Sequence, residues 1–297
     1  MRGHLVSVDI GGSKIAVMAH ELGTGNPLYA DKLKTPADDG VEAILELLDE
    51  QIASVPGGRR AMRALGVAVP GHVDPHGHVL DAGNLRGWTD VPLRELLEKR
   101  YGTPVFVERD ANCGALGEKW LGAARKMNDF VFLALGTGVG AGIFLGGRLH
   151  RGAHFAAGEA GDMIFPSGDS LGEVVGKRAI KRKVKRATGK KMSAADALAQ
   201  ARYKPQLERA TKEPVDHLSH AVVAICALLD PEAILFGGGT SSAGEPLLER
   251  VREQALGHVA RPPRLMVARL GNESQLYGAL WGAANLVRSA DIALEAH

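Results

Sequence analysis

Glycines collect at the points where apolar runs end, and this placement constrains the fold more than any other feature. Glycine accounts for 38 of 297 residues, about 13% against an ordinary proportion of about 7%. The run Leu5–Ile10 leads through Gly11-Gly12-Ser13-Lys14 into a second apolar run, Ile15–Ala19, which is typical of a β-hairpin. The same outline returns at Phe130–Leu135, a glycine turn and Ala141–Leu145. Such junctions, alternating with helical patterns, indicate an α/β protein.

Apolar periodicity predicts the individual elements, with strands over short apolar runs and helices where apolar residues recur three and four positions apart. The predicted strands are Leu5–Ile10, Ile15–Ala19, Tyr29–Thr35, Leu65–Val69, Val105–Val107, Phe130–Leu135, Ala141–Leu145, Ile234–Phe236 and Leu265–Ala268. The predicted helices are 41–54, 91–100, 111–121, 171–187, 193–229, 246–255 and 273–289, with breaks near Gly189 and from Pro205 to Pro214.

Length and composition exclude several classes of protein. At roughly 150 residues per domain, 297 residues suggest two domains. The chain has 36 basic and 34 acidic residues, a balance that argues against disorder and against nucleic-acid binding through overall charge. The two cysteines, Cys113 and Cys226, are too few for a disulfide scaffold or a four-cysteine zinc site. With no signal-peptide pattern and no run of 18 apolar residues, we expect a cytoplasmic protein that does not span a membrane.

The first glycine loop, Asp9-Ile10-Gly11-Gly12-Ser13-Lys14, has two interpretations. In one it is a hairpin turn in which the glycines permit positive φ. In the other, its backbone N–H groups face a phosphate, Asp9 holds magnesium through water, and Ser13 or Lys14 adds contacts. The first interpretation leaves Asp9 unexplained, because a carboxylate ends an apolar strand just before the glycines.

Two further glycine loops follow apolar runs. Gly136-Thr137-Gly138-Val139-Gly140 has alternating glycines and a hydroxyl that suit anionic oxygens, and a strand rather than a helix follows it, unlike the Rossmann motif. Gly237-Gly238-Gly239 stands between a strand and a helix. There the glycines either form a tight βα turn or allow a flat ligand to approach the backbone.

Asp110 is the strongest acid–base candidate, since it follows a buried strand and stands at the start of a helix. It is either the N-cap of that helix or a general base that accepts a proton from a substrate hydroxyl attacking phosphorus.

Taken in order, these motifs resemble those of the ROK family of sugar kinases and sugar-responsive repressors, within the hexokinase, actin and Hsp70 fold group. The resemblance covers nearly the whole chain. It is carried by Asp9–Lys14, Val67–Gly71, Asn84–Trp88, Asp110–Asn112 with Gly117-Glu118, Gly136–Gly142, Gly158–Gly161, Gly237–Gly239 and Gly278-Ala279.

The resemblance implies a two-domain, actin-like ATPase fold with the active site in the cleft between the domains. The expected domains are 1–118, with helix 277–297 packing back on it, and a larger 119–276. A homodimer through the larger domain is also expected.

The resemblance also implies roles for individual residues, with ATP and Mg²⁺ as the cofactors. The expected ATP contacts are Asp9, Gly11, Gly12, Ser13, Lys14, Gly136, Thr137, Gly138, Gly140, Gly237, Gly238 and Gly239. Asp9 would hold magnesium through water. The expected sugar contacts are Gly71, Asn84, Arg109, Asp110, Glu159 and Asp162, with Asp110 as the base.

The sequence departs from the family pattern around the sugar. Asp162 stands where the family usually has His, and the zinc loop that usually follows, with its Cys and His ligands, is missing, so no zinc is expected. Gly172 stands where a second sugar-binding Glu is common, with Glu173 one position later. Arg109 replaces a frequent Asn; it either contacts the substrate, favouring acidic or less common sugars, or pairs with Glu108 or Asp162.

These observations predict an ATP-dependent kinase that phosphorylates a hydroxyl of a hexose or related polyol. The alternative is a catalytically weak, sugar-binding regulatory protein of the same family without a DNA-binding domain.

Overall fold

The computed structural model describes residues 3–83 and 85–287 of the chain. The strands are β1 (His4–Ile10), β2 (Lys14–Glu21), β3 (Pro27–Lys34), β4 (Met62–Val69), β5 (His72–Val73), β6 (Val79–Asp81), β7 (Thr89–Val91), β8 (Val105–Arg109), β9 (Phe130–Leu135), β10 (Val139–Leu145), β11 (Arg148–His150), β12 (Ala233–Gly237) and β13 (Arg264–Val267). The α-helices are α1 (Gly40–Ser54), α2 (Gly58–Ala61), α3 (Leu93–Tyr101), α4 (Asp110–Trp120), α5 (Leu171–Val175), α6 (Lys177–Thr188), α7 (Ala194–Gln200), α8 (Pro205–Leu229), α9 (Glu245–Ala255) and α10 (Ser274–Val287).

The chain divides into two compact units. Unit 1 comprises Met1–Leu121 with Glu273–His297, and unit 2 comprises Gly122–Asn272. A division by contacts does not establish independently folding domains, so the expected domains 1–118 and 119–276 stay a prediction. The last ten residues of the expected helix 277–297 lie outside the described residues.

Unit 1 is built on a five-stranded sheet in the order β3-β2-β1-β4-β8. The first three strands are antiparallel, whereas β1, β4 and β8 run parallel. Alternation along β1 sends Val6, Val8 and Ile10 into a core shared with α1 and α3. The opposite face is covered by α10, where Leu5 packs against Leu280.

Helix α10 approaches its neighbours so closely that it depends on glycine. A Cβ at Gly278 would lie 1.8 Å from the carbonyl oxygen of Cys113 in α4, and a Cβ at Gly66 of β4 would lie 1.9 Å from the carbonyl oxygen of Ala279. Only residues without a side chain allow this backbone contact.

Unit 2 repeats the strand arrangement with the order β11-β10-β9-β12-β13. Here too an antiparallel trio is followed by two parallel strands. Its core packs residues of β9 and β12, such as Leu133 and Phe236, against helices α5 to α9. Both units therefore begin with a hairpin whose turn is a glycine loop.

Three helix predictions were wrong in detail. The predicted helix 171–187 is two helices, because Gly176 has an extended conformation between α5 and α6. Helix α8 begins at Pro205 but continues through Pro214, so the predicted break there does not occur. The expected start of helix 91–100 at Val91 is also wrong, since Val91 ends β7 and α3 begins at Leu93. None of the helices in the described part of the chain combines the length and apolar character needed to cross a bilayer.

Candidate functional site

Two carboxylates of unit 1 lie at one edge of its sheet. Asp9 is the penultimate residue of β1, and Asp110 follows directly after β8. Asp9 is paired with Ala68 of β4, which is paired in turn with Glu108 of β8. Because these strands are parallel, their carboxyl ends meet at the same edge, where ligands of open α/β sheets commonly bind. The fold therefore brings together the predicted magnesium-binding and catalytic carboxylates.

The surroundings of Asp9 oppose its ionisation. Burial, followed by repulsion from Asp110, raises the pKa of Asp9 to about 7, whereas the Lys32 ammonium acts to lower this pKa. A carboxylate beside a second negative charge suits a divalent cation, and oxygen is the ligand that Mg²⁺ prefers. Within the described residues, no group of three or more His, Cys, Asp or Glu could hold a metal ion. A magnesium ion at Asp9 would thus take its other ligands from water and phosphate.

Asp110 opens helix α4 and is partly buried. The N-cap position belongs to Arg109, so the alternative of Asp110 as N-cap is wrong by one residue. The Ala111 N–H donates to Asp110 Oδ1 at 2.6 Å. This hydrogen bond places the Asp110 carboxylate at the N-terminal end of α4, at the carboxyl edge of the sheet.

The residues around Asp110 are held by Glu108. Its Oε1 accepts hydrogen bonds from the Arg109 N–H at 2.9 Å and from Asn112 Nδ2 at 3.0 Å. Arg109 is only 3% exposed. The bond from Arg109 involves its backbone, so a side-chain role toward the substrate, Glu108 or Asp162 stays a prediction.

The loop between β1 and β2 is fixed by the end of β3. The Gly11 N–H donates to the Lys14 carbonyl at 2.9 Å, while Thr35 Oγ1 donates to the Gly11 carbonyl at 2.5 Å. Gly12, Ser13 and Lys14 are exposed. Neither Gly11 nor Gly12 has a positive φ, so the explanation of these glycines by left-handed backbone is wrong.

In the loop between β9 and β10, the space beside the backbone of Gly138 is unoccupied by other residues. The Gly136 N–H donates to the Gly138 carbonyl at 2.9 Å. Gly138 has an ordinary φ, and a Cβ there would meet nothing within 4 Å. The fold itself does not require glycine at this position, so the predicted ATP contact of Gly138 is sterically possible but stays a prediction.

The three glycines at the end of β12, Gly237–Gly239, differ in whether the fold requires them. A Cβ at Gly237 would lie 2.3 Å from the Phe132 ring, and Gly238 has a φ of +81° with a would-be Cβ 2.6 Å from the Leu135 carbonyl oxygen. Gly239 has neither constraint, since its φ is ordinary and its Cβ position is open. Gly239 is therefore the glycine of this loop that a ligand can best explain.

Glu159 and Asp162 are positioned by close packing against β10. Gly158 has a φ of +92°, and its would-be Cβ is 2.0 Å from the Ala141 carbonyl oxygen. At Gly161 the corresponding distance to the Val139 carbonyl oxygen is 2.5 Å. A short 3₁₀ turn spans Ala160–Asp162, directly after Glu159. Glu159 is partly buried, and Asp162 is exposed.

The segment after Asp162 is closed by a capping box on α5. Ser170 Oγ accepts from the Glu173 N–H at 3.3 Å, and the Glu173 carboxylate accepts from the Ser170 N–H at 2.9 Å. These bonds from Ser170 hold the pKa of Glu173 below its ordinary value. The Glu173 carboxylate is thus committed to the helix end. Gly172 beside it packs on Gly161, whose carbonyl oxygen is 3.3 Å from its would-be Cβ.

Two predicted sugar contacts remain without a described side-chain role. Gly71 has a φ of +87°, and a Cβ there would lie 1.7 Å from the Asp81 carbonyl oxygen, so its glycine is already required by the fold. Asn84 lies outside the described residues.

Each unit gathers its own set of predicted residues. In unit 1 these lie around the carboxyl ends of β1, β4 and β8. In unit 2 the Thr240 N–H donates to the Leu135 carbonyl at 3.0 Å, which places the loop after β12 beside the end of β9. Sequence reasoning missed Thr240, whose Oγ1 is buried without a hydrogen-bond partner among the described residues. Its position directly after three glycines was the available signal. The expected location of the active site between domains stays a prediction.

Comparison with known proteins identifies relatives along the whole chain. The ROK family profile matches residues 5–289. The beta-glucoside kinase of Klebsiella pneumoniae is 31% identical over 301 residues, covering 97% of this chain and 98% of the kinase. A putative xylose repressor of Caldicellulosiruptor sp. is 34% identical over 174 residues, which cover 57% of this chain but only 43% of the repressor.

Solved structures agree with the sequence matches. A ROK family glucokinase from Streptomyces griseus, in complex with glucose and AMPPNP, is 29% identical and superposes with a TM-score of 0.81, covering 95% of this chain and 100% of that one. This similarity confirms the predicted actin-like ATPase fold. From the profile match and the full-length similarity to the beta-glucoside kinase, the chain belongs to the ROK family.

Proposed function

We propose that this protein transfers the γ-phosphoryl group of ATP to a hydroxyl group of a sugar or related polyol. The observation that carries this proposal is the position of Asp9 and Asp110 at one sheet edge, beside an exposed glycine loop. Full-length similarity to a beta-glucoside kinase and to a glucokinase that holds AMPPNP supports the same reaction class.

The donor contacts proposed in unit 1 are backbone amides of Gly11–Lys14 and the side chains of Ser13 and Lys14. Those proposed in unit 2 are the loops Gly136–Gly140 and Gly237–Gly239, where Gly138 and Gly239 leave their backbones open to a ligand. Asp9 holds Mg²⁺ through water, and when bound this ion neutralises charge on the phosphates. In such a site, positioned amides supply much of the stabilisation of the transferring phosphoryl group.

The proposed acceptor chemistry rests on Asp110. Its carboxylate accepts the proton of a sugar hydroxyl while that oxygen forms a bond to the γ-phosphorus and the bond to the ADP oxygen breaks. The proton ends on Asp110 and the electron pair of the broken bond on ADP. Base catalysis of this kind typically contributes ~10²–10⁴-fold.

Glu159 and Asp162 are the proposed sugar contacts in unit 2; Glu173, whose Oε2 closes the capping box, is not proposed as one. With Arg109 and Asp162 among the contacts, we propose that the acceptor specificity is shifted from glucose toward acidic or less common sugars. The test is ADP formation with MgATP over a panel of glucose, β-glucosides, mannose, amino sugars, uronic acids and cyclitols. Equal rates on glucose and on the acidic and amino sugars would contradict a shifted specificity.

The role of Asp110 is tested by Asp110→Asn. We expect turnover to fall at least about 100-fold, because the amide cannot accept the proton, while AMPPNP binding by calorimetry stays within about twofold. Turnover near that of the wild type would contradict the proposed mechanism.

A second candidate is a sugar-binding regulatory protein with little catalysis. The similarity to a putative xylose repressor over 174 residues favours it. This candidate predicts calorimetric sugar binding without ADP formation for any sugar of the panel, whereas the kinase predicts sugar-dependent turnover.

A further inference from the structure

The face of the unit 1 sheet that carries Asp9 also carries lysines from the neighbouring strands. Alternation buries Ile15 and Val17 in the core with α1 and α3, so Lys14 and Ala16 belong to the opposite face. Asp9 is paired with Ala16, and Ala16 is paired with Lys32. Directly paired residues of neighbouring strands project to the same face. Asp9, Ala16 and Lys32 therefore form one row across β1, β2 and β3.

Ala16 stands between the charged ends of this row, where it is buried with Met18 and Leu276 and adds only a methyl group. In the next row toward the loop, Lys14 is paired with Lys34. Lys14, Lys32 and Lys34, here called the lysine rim, are all exposed.

The lysine rim is held in register with the glycine loop. Thr35, directly after β3, donates from its Oγ1 to the Gly11 carbonyl and from its N–H to the Ser13 carbonyl at 3.3 Å. The end of β3 is therefore attached to the loop proposed to receive phosphate. Three ammonium groups beside that loop outnumber the two carboxylates of Asp9 and Asp110, and this excess of positive charge suits a polyanion rather than a neutral sugar.

We propose that Lys32 binds the terminal phosphates of the nucleotide donor, as a contact from β3 in addition to the glycine loops. The proposal rests on the proposed function, because it assigns the donor to the Asp9 edge. Lys32 reaches the phosphates from across Ala16 and offsets negative charge that the triphosphate brings near Asp9 and Asp110.

The test is a series of binding measurements with Lys32→Met, which keeps the length of the side chain and removes its charge. Affinities for adenosine, AMP, ADP and AMPPNP are measured by calorimetry with Mg²⁺. One charge-assisted contact corresponds to about tenfold in affinity. We expect Lys32→Met to weaken AMPPNP about tenfold and AMP by less than about twofold, with Lys32→Arg close to the wild type.

The matched control is Lys99→Met, an exposed lysine of α3 in the same unit. Lys99→Met should leave the affinities for adenosine, AMP, ADP and AMPPNP unchanged. Equal weakening of adenosine and AMPPNP in Lys32→Met, or no weakening at all, would overturn the assignment of Lys32. Failure of the proposed function is a separate result, since it would show as absence of sugar-dependent ADP formation by the wild-type protein.

Discussion

At the scale of single residues, the buried carboxylate of Asp9, which is proposed to hold magnesium, is expected to lower the free energy of unfolding when it ionises. Its folded-state pKa of about 7 lies well above the ordinary value near 4, because of burial and then of Asp110. Between these two pH values the folded protein holds a proton that the unfolded chain has lost. Magnesium-free protein should therefore lose stability as the pH rises from about 4 through about 7.

Asp9→Asn should remove this pH dependence. The shift of about three pKa units corresponds to about 4 kcal/mol, so the variant should gain up to about 4 kcal/mol relative to the wild type at pH 8 and nothing at pH 4. The measurement is urea unfolding at both pH values with EDTA present. Asp38→Asn, at an exposed position, is the control and should follow the wild type. A constant difference between Asp9→Asn and wild type at both pH values would contradict this account.

Adjacent glycines after β12 should respond differently to alanine. Gly238→Ala forces a side chain into left-handed backbone and against the Leu135 carbonyl oxygen, and should lower the free energy of unfolding by at least about 1–2 kcal/mol. Gly239→Ala meets no such obstacle and should leave that free energy unchanged or slightly raised. If Gly239 admits the nucleotide, its variant should still weaken AMPPNP binding about tenfold. Unchanged binding in a folded Gly239→Ala would remove Gly239 from the site.

At the scale of elements, the capping box of α5 fixes the start of a helix that packs beside the turn at Glu159, a proposed sugar contact. Ser170 and Glu173 fix the start of α5, and Gly172 packs on Gly161 at the end of the turn that carries Glu159. Order at the helix end is in this way transmitted to a proposed sugar contact.

Ser170→Ala tests this connection, with Ser193→Ala as its matched control. Ser193 caps α7 in the same unit by accepting from the Asp196 N–H at 3.0 Å. Each variant should lose about 1 kcal/mol of stability, the usual effect of losing an N-cap. Only Ser170→Ala should raise the KM for sugar several-fold at constant KM for ATP, with Ser170→Thr restoring it. Equal sugar KM values in the two alanine variants would show that the box is structural only.

Local sequence patterns predicted nine of the thirteen strands in the described residues and most of the longer helices, because most glycine signals act within their own segment, whereas the short strands β5, β6, β7 and β11 were not predicted. Gly176 is different: a Cβ there would lie 2.6 Å from the Thr137 carbonyl oxygen, so its extended backbone is set by a distant loop. Pro214 is buried within α8, where packing of a 25-residue helix outweighs the roughly 3 kcal/mol that an interior proline costs.

The candidate site was predictable to a similar extent. Asp9 and Asp110 each follow an apolar run, which identified them from the sequence. Lys32 could not be identified in this way, because its relation to Asp9 exists only through the pairing of three strands. The requirement for glycine at Gly238 likewise depends on a backbone contact with Leu135 that no spacing rule contains.

At the scale of the whole molecule, one fold serves both kinases and repressors, so the site must decide between them. Metal dependence is one such property. The family's zinc loop is missing from the sequence, and within residues 3–83 and 85–287 no cluster of three or more ligating side chains replaces it.

Activity should therefore depend on magnesium alone. A zinc-selective chelator should leave sugar-dependent turnover within about twofold of its starting value, since the loop that would supply the Cys and His ligands is missing from the sequence. EDTA should abolish turnover, and Mg²⁺ without Zn²⁺ should restore it fully. Loss of turnover or of secondary structure with the zinc-selective chelator would contradict the predicted absence of zinc.

The packing of α10 on unit 1 has a consequence for how the chain folds during synthesis. Unit 2 is continuous in sequence, whereas unit 1 needs a helix that the ribosome makes after all of unit 2. Until α10 emerges, the apolar face formed by Leu5, Ala64 and Ala68 has no cover, and Gly66 and Gly117 face no partner. All residues of unit 2 are therefore made before unit 1 is complete. During this time the uncovered apolar face of unit 1 is prone to aggregation and is the kind of surface that chaperones bind. The loop Gly11–Lys14, proposed to contact the phosphates, is accordingly among the first segments to be made and among the last to be fixed in place.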